Sequence, residues 1–166
     1  MRLIIITQRD PIFVDEFLTN INYENFNEVF IYDTPNFGAG KLKGLVKFYK
    51  LFGVLKTFNS VIKVLTRSTS LPKNVIVKHI KFSQAEEDIL SNDWCNDDVL
   101  ISVSAPHRVT EQILRKFKKK YNIHCGKLPQ FAGMMPMFWQ FYENQTSYTI
   151  TLHELANEID AGNDLT

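Results

Sequence analysis

The feature that most constrains the fold is a short apolar run near the start of the chain, from Leu3 to Thr7, in which isoleucine dominates. Polar residues do not alternate with the apolar ones, so the run predicts a strand that is buried on both faces. Residues 97–104 contain a second strand pattern that is apolar through its centre. Strands of this kind occur in parallel sheets that carry helices on both faces. We therefore expect an α/β fold with a mostly parallel sheet.

The other strand and helix patterns alternate along the chain, as such a sheet requires. Helices are predicted to begin at Asp10-Pro11, with Asp10 as the N-cap and Pro11 in the first helical position, and at Pro106. In sheets of this type ligands bind at the carboxyl ends of the strands, so the residues that follow the strands are candidates for a functional site. The further predicted strands are 29–32, 74–80, 121–124 and 147–153, and the further predicted helices are 84–90 and 136–142.

Size and composition predict one globular domain, 1–166, because the chain has 166 residues and is 45% hydrophobic. The net charge of +1 favours no charged partner, and no specific nucleic acid is expected. Cys95 and Cys125 match neither a disulfide framework nor a zinc site, so we expect no metal. The first apolar run is too short for a signal peptide, and no run is long enough to cross a bilayer. A cytoplasmic location is therefore expected, and the oligomeric state stays open.

Residues 41–67 form a basic segment in which apolar residues recur at helical spacing. No acidic residue occurs between Asp33 and Glu86. One interpretation is an amphipathic helix pair that packs on the sheet with its lysines in solvent. The other is a positive face that contacts a phosphorylated substrate or, peripherally, an anionic membrane.

A second group of basic residues, Lys116 and Lys118 to Lys120, follows the helix that is expected from Pro106. Cations at the carboxyl end of a helix complement its dipole. We therefore interpret this group as a solvated helix end.

Three polar residues lie at turns beside predicted strands late in the chain: Asn122, His124 and Asp160. Attack of an amine on an acyl carbon needs a proton acceptor for the amine and hydrogen-bond donors for the tetrahedral oxyanion. An imidazole, a carboxylate and an amide supply these groups. Spacing alone does not separate this role from ordinary hydrogen bonding at strand ends.

A longer pattern surrounds these three residues. It consists of Asn122-Ile123-His124, a Leu128-Pro129 loop that ends at Gly133, and Asp160-Ala161-Gly162 after a strand. In this order and spacing the pattern resembles the folate-dependent formyltransferases. The resemblance implies a Rossmann-like formyltransferase fold and an enzyme that transfers a formyl group from 10-formyltetrahydrofolate to a primary amine.

The resemblance also implies roles for individual residues. Asn122 and His124 would stabilise the tetrahedral adduct, and Asp160 would assist proton transfer through His124 or a water. Two short segments would hold the folate, mainly through backbone groups. They are Ser104, Ala105, Pro106 and His107 after the strand at 97–104, and Ala156, Asn157 and Glu158 before the aspartate.

Departures from the family pattern bear on the acceptor. The loop after the first strand, 7–12, lacks the glycines of the glycinamide ribonucleotide enzymes, and we expect no separate C-terminal domain of the kind that the transfer-RNA enzymes carry. These features favour an amino-sugar acceptor, nucleotide- or lipid-linked and thus phosphorylated. Alternatives are a methionyl-tRNA formyltransferase-like activity, a formyltetrahydrofolate hydrolase and a truncated, non-catalytic binding domain. The truncated, non-catalytic domain is an alternative because family members continue beyond Asp-x-Gly, so the C-terminal part of the family domain is expected to be missing.

The residues at the site depart from the family pattern as well. Cys125-Gly126 and Ala132 replace residues that are often Pro-Ser and arginine in the family. A thiol beside His124 raises the possibility of a cysteine nucleophile. We instead interpret Cys125 as a packed residue at the strand end, because Asn122, His124 and Asp160 account for the histidine.

Overall fold

The computed structural model describes residues 1–8, 14–35, 53 and 71–165. Within these residues, helices separate most of the consecutive strands, as the sequence predicts. The strands are β1 (Arg2–Thr7), β2 (Glu28–Asp33), β3 (Val75–His79), β4 (Val99–Val103), β5 (Lys119–His124) and β6 (Thr151–Glu154). The helices are α1 (Val14–Thr19), α2 (Phe82–Ser91), α3 (Glu111–Lys116) and α4 (Pro136–Tyr142), with a 3-10 turn at Tyr23–Asn25.

The six strands form one sheet in the order β3-β2-β1-β4-β5-β6. Neighbouring strands from β3 to β5 are parallel, and β6 pairs antiparallel with β5. The first strand lies at the centre, where Ile4, Ile5 and Ile6 are completely buried. The mostly parallel α/β sheet expected from the sequence is therefore confirmed.

Side chains of β1 alternate between two apolar clusters, one on each face of the sheet. Ile4 and Ile6 pack into the cluster that α2 and α3 cover. Leu3 and Ile5 point to the opposite face and pack with Val14, the first residue of α1. Helices cover both faces, which explains why the first strand shows no alternation of apolar and polar residues.

An ion pair between the partly exposed Arg2 and the buried Asp98 joins the start of β1 to the segment before β4. The carboxylate of Asp98 accepts hydrogen bonds from the Arg2 guanidinium at 2.6 and 2.9 Å and from the backbone N–H groups of Arg2 and Cys95, both at 2.7 Å. Burial by itself would raise the pKa of Asp98. These hydrogen bonds, the one from the Arg2 side chain foremost, outweigh burial and hold the pKa below its ordinary value.

The structure corrects the helix expected at Pro106, which begins only at Glu111. Ser104 has a φ of 49°, and a residue that precedes proline, here Ala105, is sterically disfavoured in the helical region. Val109 is buried against the apolar cluster, so the intervening residues form a loop that packs on the core. Tertiary packing has overridden the local helix signal.

The structure also corrects the interpretation of the second lysine group, Lys116 and Lys118 to Lys120. The helix ends at Lys116, whereas Lys119 and Lys120 belong to β5, which pairs with β4 from Val99 to Val103. The interpretation of Lys119 and Lys120 as a solvated helix end is therefore wrong. At the other end of the sheet, β6 is shorter than the predicted strand 147–153 and extends to Glu154.

Two predictions fall outside the described residues: the helix start at Asp10-Pro11 and, apart from Gly53, the basic segment 41–67. In the part of the chain that the structure does describe, none of the helices has the length and apolar character needed to cross a membrane.

Candidate active site

The pairing of β5 with β6 builds the floor of the candidate site. Asn122 lies directly opposite His153, and His124 lies opposite Thr151. Residues that face each other in an antiparallel pair point to the same side of the sheet. Asn122, His124 and His153 therefore share one face. This is also the face that α3 covers. Asn122 is in register with Ser102 of β4, and Ser102 points to the same side as Leu100, two residues earlier. Leu100 packs in the apolar cluster that α3 covers.

Both ring nitrogens of His153 have partners, and these partners assign its tautomer. Nδ1 lies 2.9 Å from the carbonyl oxygen of Glu154, which can only accept, so Nδ1 carries the hydrogen. Nε2 is then an acceptor, and Asn122 donates to it from Nδ2 at 3.0 Å. This bond orients the amide of Asn122. Its second amide hydrogen has no acceptor among the described residues and stays available to a ligand.

The same reasoning assigns the hydrogen on His124. Its Nε2 lies 2.7 Å from the carbonyl oxygen of Phe131, so Nε2 is the donor, and in the neutral imidazole Nδ1 presents a lone pair. Gly126 permits this packing. A Cβ at Gly126 would lie 3.2 Å from the His124 Nε2 and only 2.6 Å from the Cβ of Pro136.

Asp160 approaches both histidines from the loop after β6. Its Oδ1 lies 3.5 Å from the Nδ1 of His124 and 3.5 Å from the Nε2 of His153, and its side chain is 8% exposed. Its Oδ2 accepts a hydrogen bond of 2.7 Å from the backbone N–H of Gly133. The structure thus brings together all three residues of the predicted catalytic set, and adds His153.

The contact between Asp160 and His124 has a chemical consequence. Asp160 Oδ1 and His124 Nδ1 are both acceptors in the assigned state, and 3.5 Å is too long for a direct hydrogen bond. A proton released by a bound substrate would find acceptors on two sides. The pair is therefore suited to general-base chemistry, with the free amide hydrogen of Asn122 close by as a donor.

Gly162 and the chain after it hold Asp160 in place. Asp160 has a φ of 53°, a left-handed conformation that aspartate tolerates better than most residues. A Cβ at Gly162 would lie 1.8 Å from the carbonyl oxygen of Glu154, so only glycine fits. Beyond it, the backbone N–H of Glu154 donates to the carbonyl oxygen of Asn163 at 3.0 Å, and that of Leu165 donates to Leu152 at 2.9 Å.

Helix α4 is attached to the sheet through one buried polar side chain. Gln140, 1% exposed, donates from Nε2 to the carbonyl oxygen of Cys125 at 2.9 Å and accepts at Oε1 from the backbone N–H of Thr149 at 2.9 Å. The rest of the helix is largely exposed and rich in large apolar side chains. They are Met137, Phe138, Trp139, Phe141 and Tyr142.

A cavity of about 620 Å³ lies beside the catalytic face, between α3 and the loop after β6. This volume falls in the range of small-molecule sites. Ala156 and Asn157 from the second predicted folate segment line it, whereas Glu158 and the first segment, Ser104 to His107, do not. Ser104 is exposed in a left-handed conformation, and the ring of His107 lies 4.9 Å from that of Phe82. The remaining lining residues are Glu111, Leu114, Arg115, Phe117, Lys118, Lys120 and Leu155.

Sequence reasoning missed His153 as a site residue. It ends a predicted strand and is 2% exposed, a pattern shared by histidines that merely pack in a core. The informative signal was its position relative to Asn122, which depends on the register of β5 against β6. The backbone contacts of Phe131 and Gly133 left no signal in the sequence, because any residue has a carbonyl group and an N–H.

The sequence is similar to that of curated methionyl-tRNA formyltransferases. The chain is 25% identical over 151 residues to the methionyl-tRNA formyltransferase of Lactobacillus delbrueckii subsp. bulgaricus, a match that covers 82% of this chain and 46% of that protein. The chain spans about half the length of the curated relatives it matches. No family model matches it.

The fold is similar to that of three solved enzymes that act on formyl groups. Glycinamide ribonucleotide transformylase 1 from Symbiobacterium toebii superposes with a TM-score of 0.58 at 12% identity, over 100% of this chain and 71% of that chain. A formyltetrahydrofolate deformylase from Pseudomonas syringae pv. tomato gives a TM-score of 0.57 at 14% identity, and the match covers 99% of this chain and 49% of that chain. A sugar 3N-formyl transferase solved with dTDP and 5-N-formyl-THF gives a TM-score of 0.50 at 16% identity, and the match covers 100% of this chain and 50% of that chain.

The chain is similar to folate-dependent formyltransferases in sequence and in fold. The sequence matches carry this relationship, and the structural likenesses, at low identity, show the shared fold. In this formyltransferase fold, β5, β6 and the loop after β6 supply Asn122, His124, His153 and Asp160.

Proposed function

We propose that the chain transfers a formyl group from 10-formyltetrahydrofolate to a primary amine. The observation that carries the proposal is the position of Asp160, whose Oδ1 lies 3.5 Å from a nitrogen of His124 and 3.5 Å from a nitrogen of His153, with Asn122 bonded to His153. Its similarity to methionyl-tRNA formyltransferases supports the reaction class.

The site residues fit the demands of formyl transfer to an amine. The folate would supply the formyl carbon, on which the amine nitrogen attacks. The nitrogen must then lose a proton, and Asp160 with His124 offers acceptors for it. The bond between the formyl carbon and N10 of the folate breaks as the adduct collapses, and the same groups can return the proton to N10, so that tetrahydrofolate leaves. The carbonyl oxygen gains negative charge in the transition state, and the free amide hydrogen of Asn122 is a donor of the kind that stabilises an oxyanion.

The cavity beside the site fits the donor. Ala156 and Asn157 belong to the loop that delivers Asp160, so a folate in this cavity would lie next to the catalytic groups. Apolar walls, provided by Leu114, Phe117 and Leu155, suit a flat heterocycle. Ser104 to His107 would complete the folate site from the end of β4.

The acceptor that best suits the chain is the amine of an amino sugar, nucleotide- or lipid-linked. The support comes from the loop after β1, which has no glycine between Thr7 and Ile12 with which to enclose a ribonucleotide phosphate. A sugar 3N-formyl transferase has the same fold, which is compatible with this acceptor.

Water is the second candidate acceptor. Asp160 and His124 would accept a proton from water as well as from an amine. A formyltetrahydrofolate deformylase has the same fold with a TM-score of 0.57. The two reactions differ in their products, because hydrolysis releases formate without any amine.

The test is an assay of the purified chain with 10-formyltetrahydrofolate and a panel of amino sugars, free and nucleotide-linked, with methionyl-tRNA and glycinamide ribonucleotide as competing acceptors. We expect formylation of an amino sugar. Asp160→Asn should lower its rate by roughly 10²- to 10⁴-fold, the contribution typical of general-base catalysis. Asn122→Ala should lower it by roughly 10²- to 10³-fold.

Asp97→Asn is a matched control for Asp160→Asn, because Asp97 lies on the surface with its side chain 79% exposed, and we expect it to keep full activity. Formate release that needs no amine would support the hydrolase instead. Formylation of methionyl-tRNA but of no sugar would overturn the acceptor. Folate binding without either product would identify a non-catalytic binding domain.

A further inference from the structure

The cavity between α3 and the loop after β6 has apolar walls and a cationic lining. Leu114 and Phe117 belong to the apolar cluster under α3, and Leu155 packs against the same cluster from the loop. Four charged side chains also line the cavity, three of them basic. They are Glu111, Arg115, Lys118 and Lys120.

The four charges do not cancel. Arg115 pairs with Glu111 at 2.6 Å, one helical turn away, so each neutralises the other. Lys118 and Lys120 have no carboxylate partner among the residues that the structure describes. The cavity therefore carries two uncompensated ammonium groups, which favours a ligand with electron-rich oxygens.

Lys120 is the better placed of the two to contact a ligand inside the cavity. It is half-buried, whereas Lys118 is exposed. Its ammonium group makes one hydrogen bond of 3.2 Å, to the carbonyl oxygen of Phe117. An ammonium group has three donors, so two remain for a ligand.

Lys120 also lies close to the catalytic residues. It precedes Asn122 by two residues on β5, so both side chains leave the same face, with their Cα atoms roughly 7 Å apart along the strand. The backbone N–H of Leu155 donates to the carbonyl oxygen of Lys120 at 3.0 Å, which fixes the loop that leads to Asp160 beside it. A ligand held by Lys120 would thus reach the catalytic face.

We propose that Lys120 is a specificity-determining residue for the folate, and that its ammonium group donates a hydrogen bond to the carbonyl oxygen of the pterin ring. The inference rests on the proposed function, which makes folate the donor. The pterin is flat, carries an oxo group, and is joined through one methylene to N10, the atom that bears the formyl group. The glutamate carboxylates of the same folate are the other oxygens available, and they would suit the exposed Lys118 at the cavity mouth.

Binding measurements with three ligands separate these two sources of oxygen. They are 5-formyltetrahydrofolate, a tetrahydropterin without the aminobenzoylglutamate tail, and p-aminobenzoylglutamate. Isothermal titration of Lys120→Met should show weaker binding of 5-formyltetrahydrofolate and of the tetrahydropterin by about tenfold or more, as expected for a lost charge-assisted hydrogen bond. Lys120→Arg, which keeps donors, should recover part of the affinity for both.

Lys118→Met is the matched control, since it removes the same charge from the same cavity. We expect it to change tetrahydropterin binding by less than about twofold. Far-UV circular dichroism and thermal unfolding check that Lys120→Met is folded.

Unchanged affinity in a folded Lys120→Met, or a loss confined to p-aminobenzoylglutamate, would overturn the inference while the proposed function stands. A wild type that binds folate through Lys120 but transfers no formyl group would contradict the proposed function and leave the inference intact. Failure of the wild type to bind 5-formyltetrahydrofolate would overturn both.

Discussion

Asn122 donates a hydrogen bond of 3.0 Å from its side-chain amide to the Nε2 of His153, which lies directly opposite on the neighbouring strand. The carbonyl oxygen of Glu154 holds the other ring nitrogen. Together these bonds fix which atom of the Asn122 amide faces His153. His153 is thus a positioning residue for Asn122.

Replacement of His153 by leucine removes the acceptor and leaves the amide of Asn122 free to rotate. We expect kcat for formyl transfer to fall by about 100-fold, the order of loss that follows from a misplaced catalytic group. KM for the folate should change little, because His153 does not line the cavity proposed for the folate. Steady-state kinetics separate the two constants.

His153→Gln should recover part of kcat, since its carbonyl oxygen can accept from Asn122. His79→Leu is the control: His79 pairs with Asp33 on the far edge of the sheet, and its loss should leave kcat unchanged. Equal kcat values in the wild type and in His153→Leu would contradict the role of His153 in positioning Asn122.

Gly162→Ala tests how the chain holds Asp160. The added Cβ would lie 1.8 Å from the carbonyl oxygen of Glu154, so the backbone must shift. We expect stability to fall by roughly 1–3 kcal/mol, as for other overpacked sites, with a loss of activity as Asp160 moves. Thermal unfolding and initial rates measure the two effects. Ala161→Ser, at an exposed neighbouring position, should change neither the stability nor the initial rate.

Gln140→Leu tests the attachment of α4. The substitution keeps the volume but leaves the carbonyl oxygen of Cys125 and the backbone N–H of Thr149 without their side-chain partner. A fully buried unsatisfied group costs roughly 1–3 kcal/mol, and these two groups are partly buried, so we expect a smaller loss and a lower urea midpoint. Gln145→Leu, on the exposed segment after the helix, is the matched control. A midpoint equal to that of the control would show that α4 is held by other contacts.

The ion pair between Arg2 and the buried Asp98 predicts a dependence of stability on pH. The pKa of Asp98 is lower in the folded chain than its ordinary value of 3.8, so its contribution is fully present above about pH 4 and is lost as the pH falls through the folded pKa. We expect Asp98→Asn to cost roughly 3 kcal/mol at pH 7, because it leaves Arg2 without its carboxylate.

The difference in unfolding free energy between wild type and Asp98→Asn should shrink as the pH drops below 4, which urea titrations at several pH values can measure. Asp97→Asn removes a solvent-exposed partner of Lys119 and should cost no more than about 1 kcal/mol. A constant difference from pH 7 to pH 3 would contradict the assigned role of Asp98.

Much of the fold was predictable because β1 carries an unmistakable pattern, with Leu3 to Ile6 buried on two faces. Asn122, His124 and Asp160 were found through a motif, and the structure brings them together. Lys120 was assigned to a helix end because local sequence cannot show that pairing with β4 extends β5 backwards. His153 was missed for a related reason, since its importance depends on strand register.

The groups proposed for catalysis all lie between Asn122 and Asp160, on β5, β6 and the loop after β6. The other strands support this module but add no group to the proton-transfer contacts. Substitutions before β5 should therefore alter stability or ligand preference while the reaction chemistry is kept. Under the proposed function, this one stretch of sequence would carry the reacting groups and also part of the donor site, because Leu155, Ala156 and Asn157 of the cavity proposed for the folate lie within it.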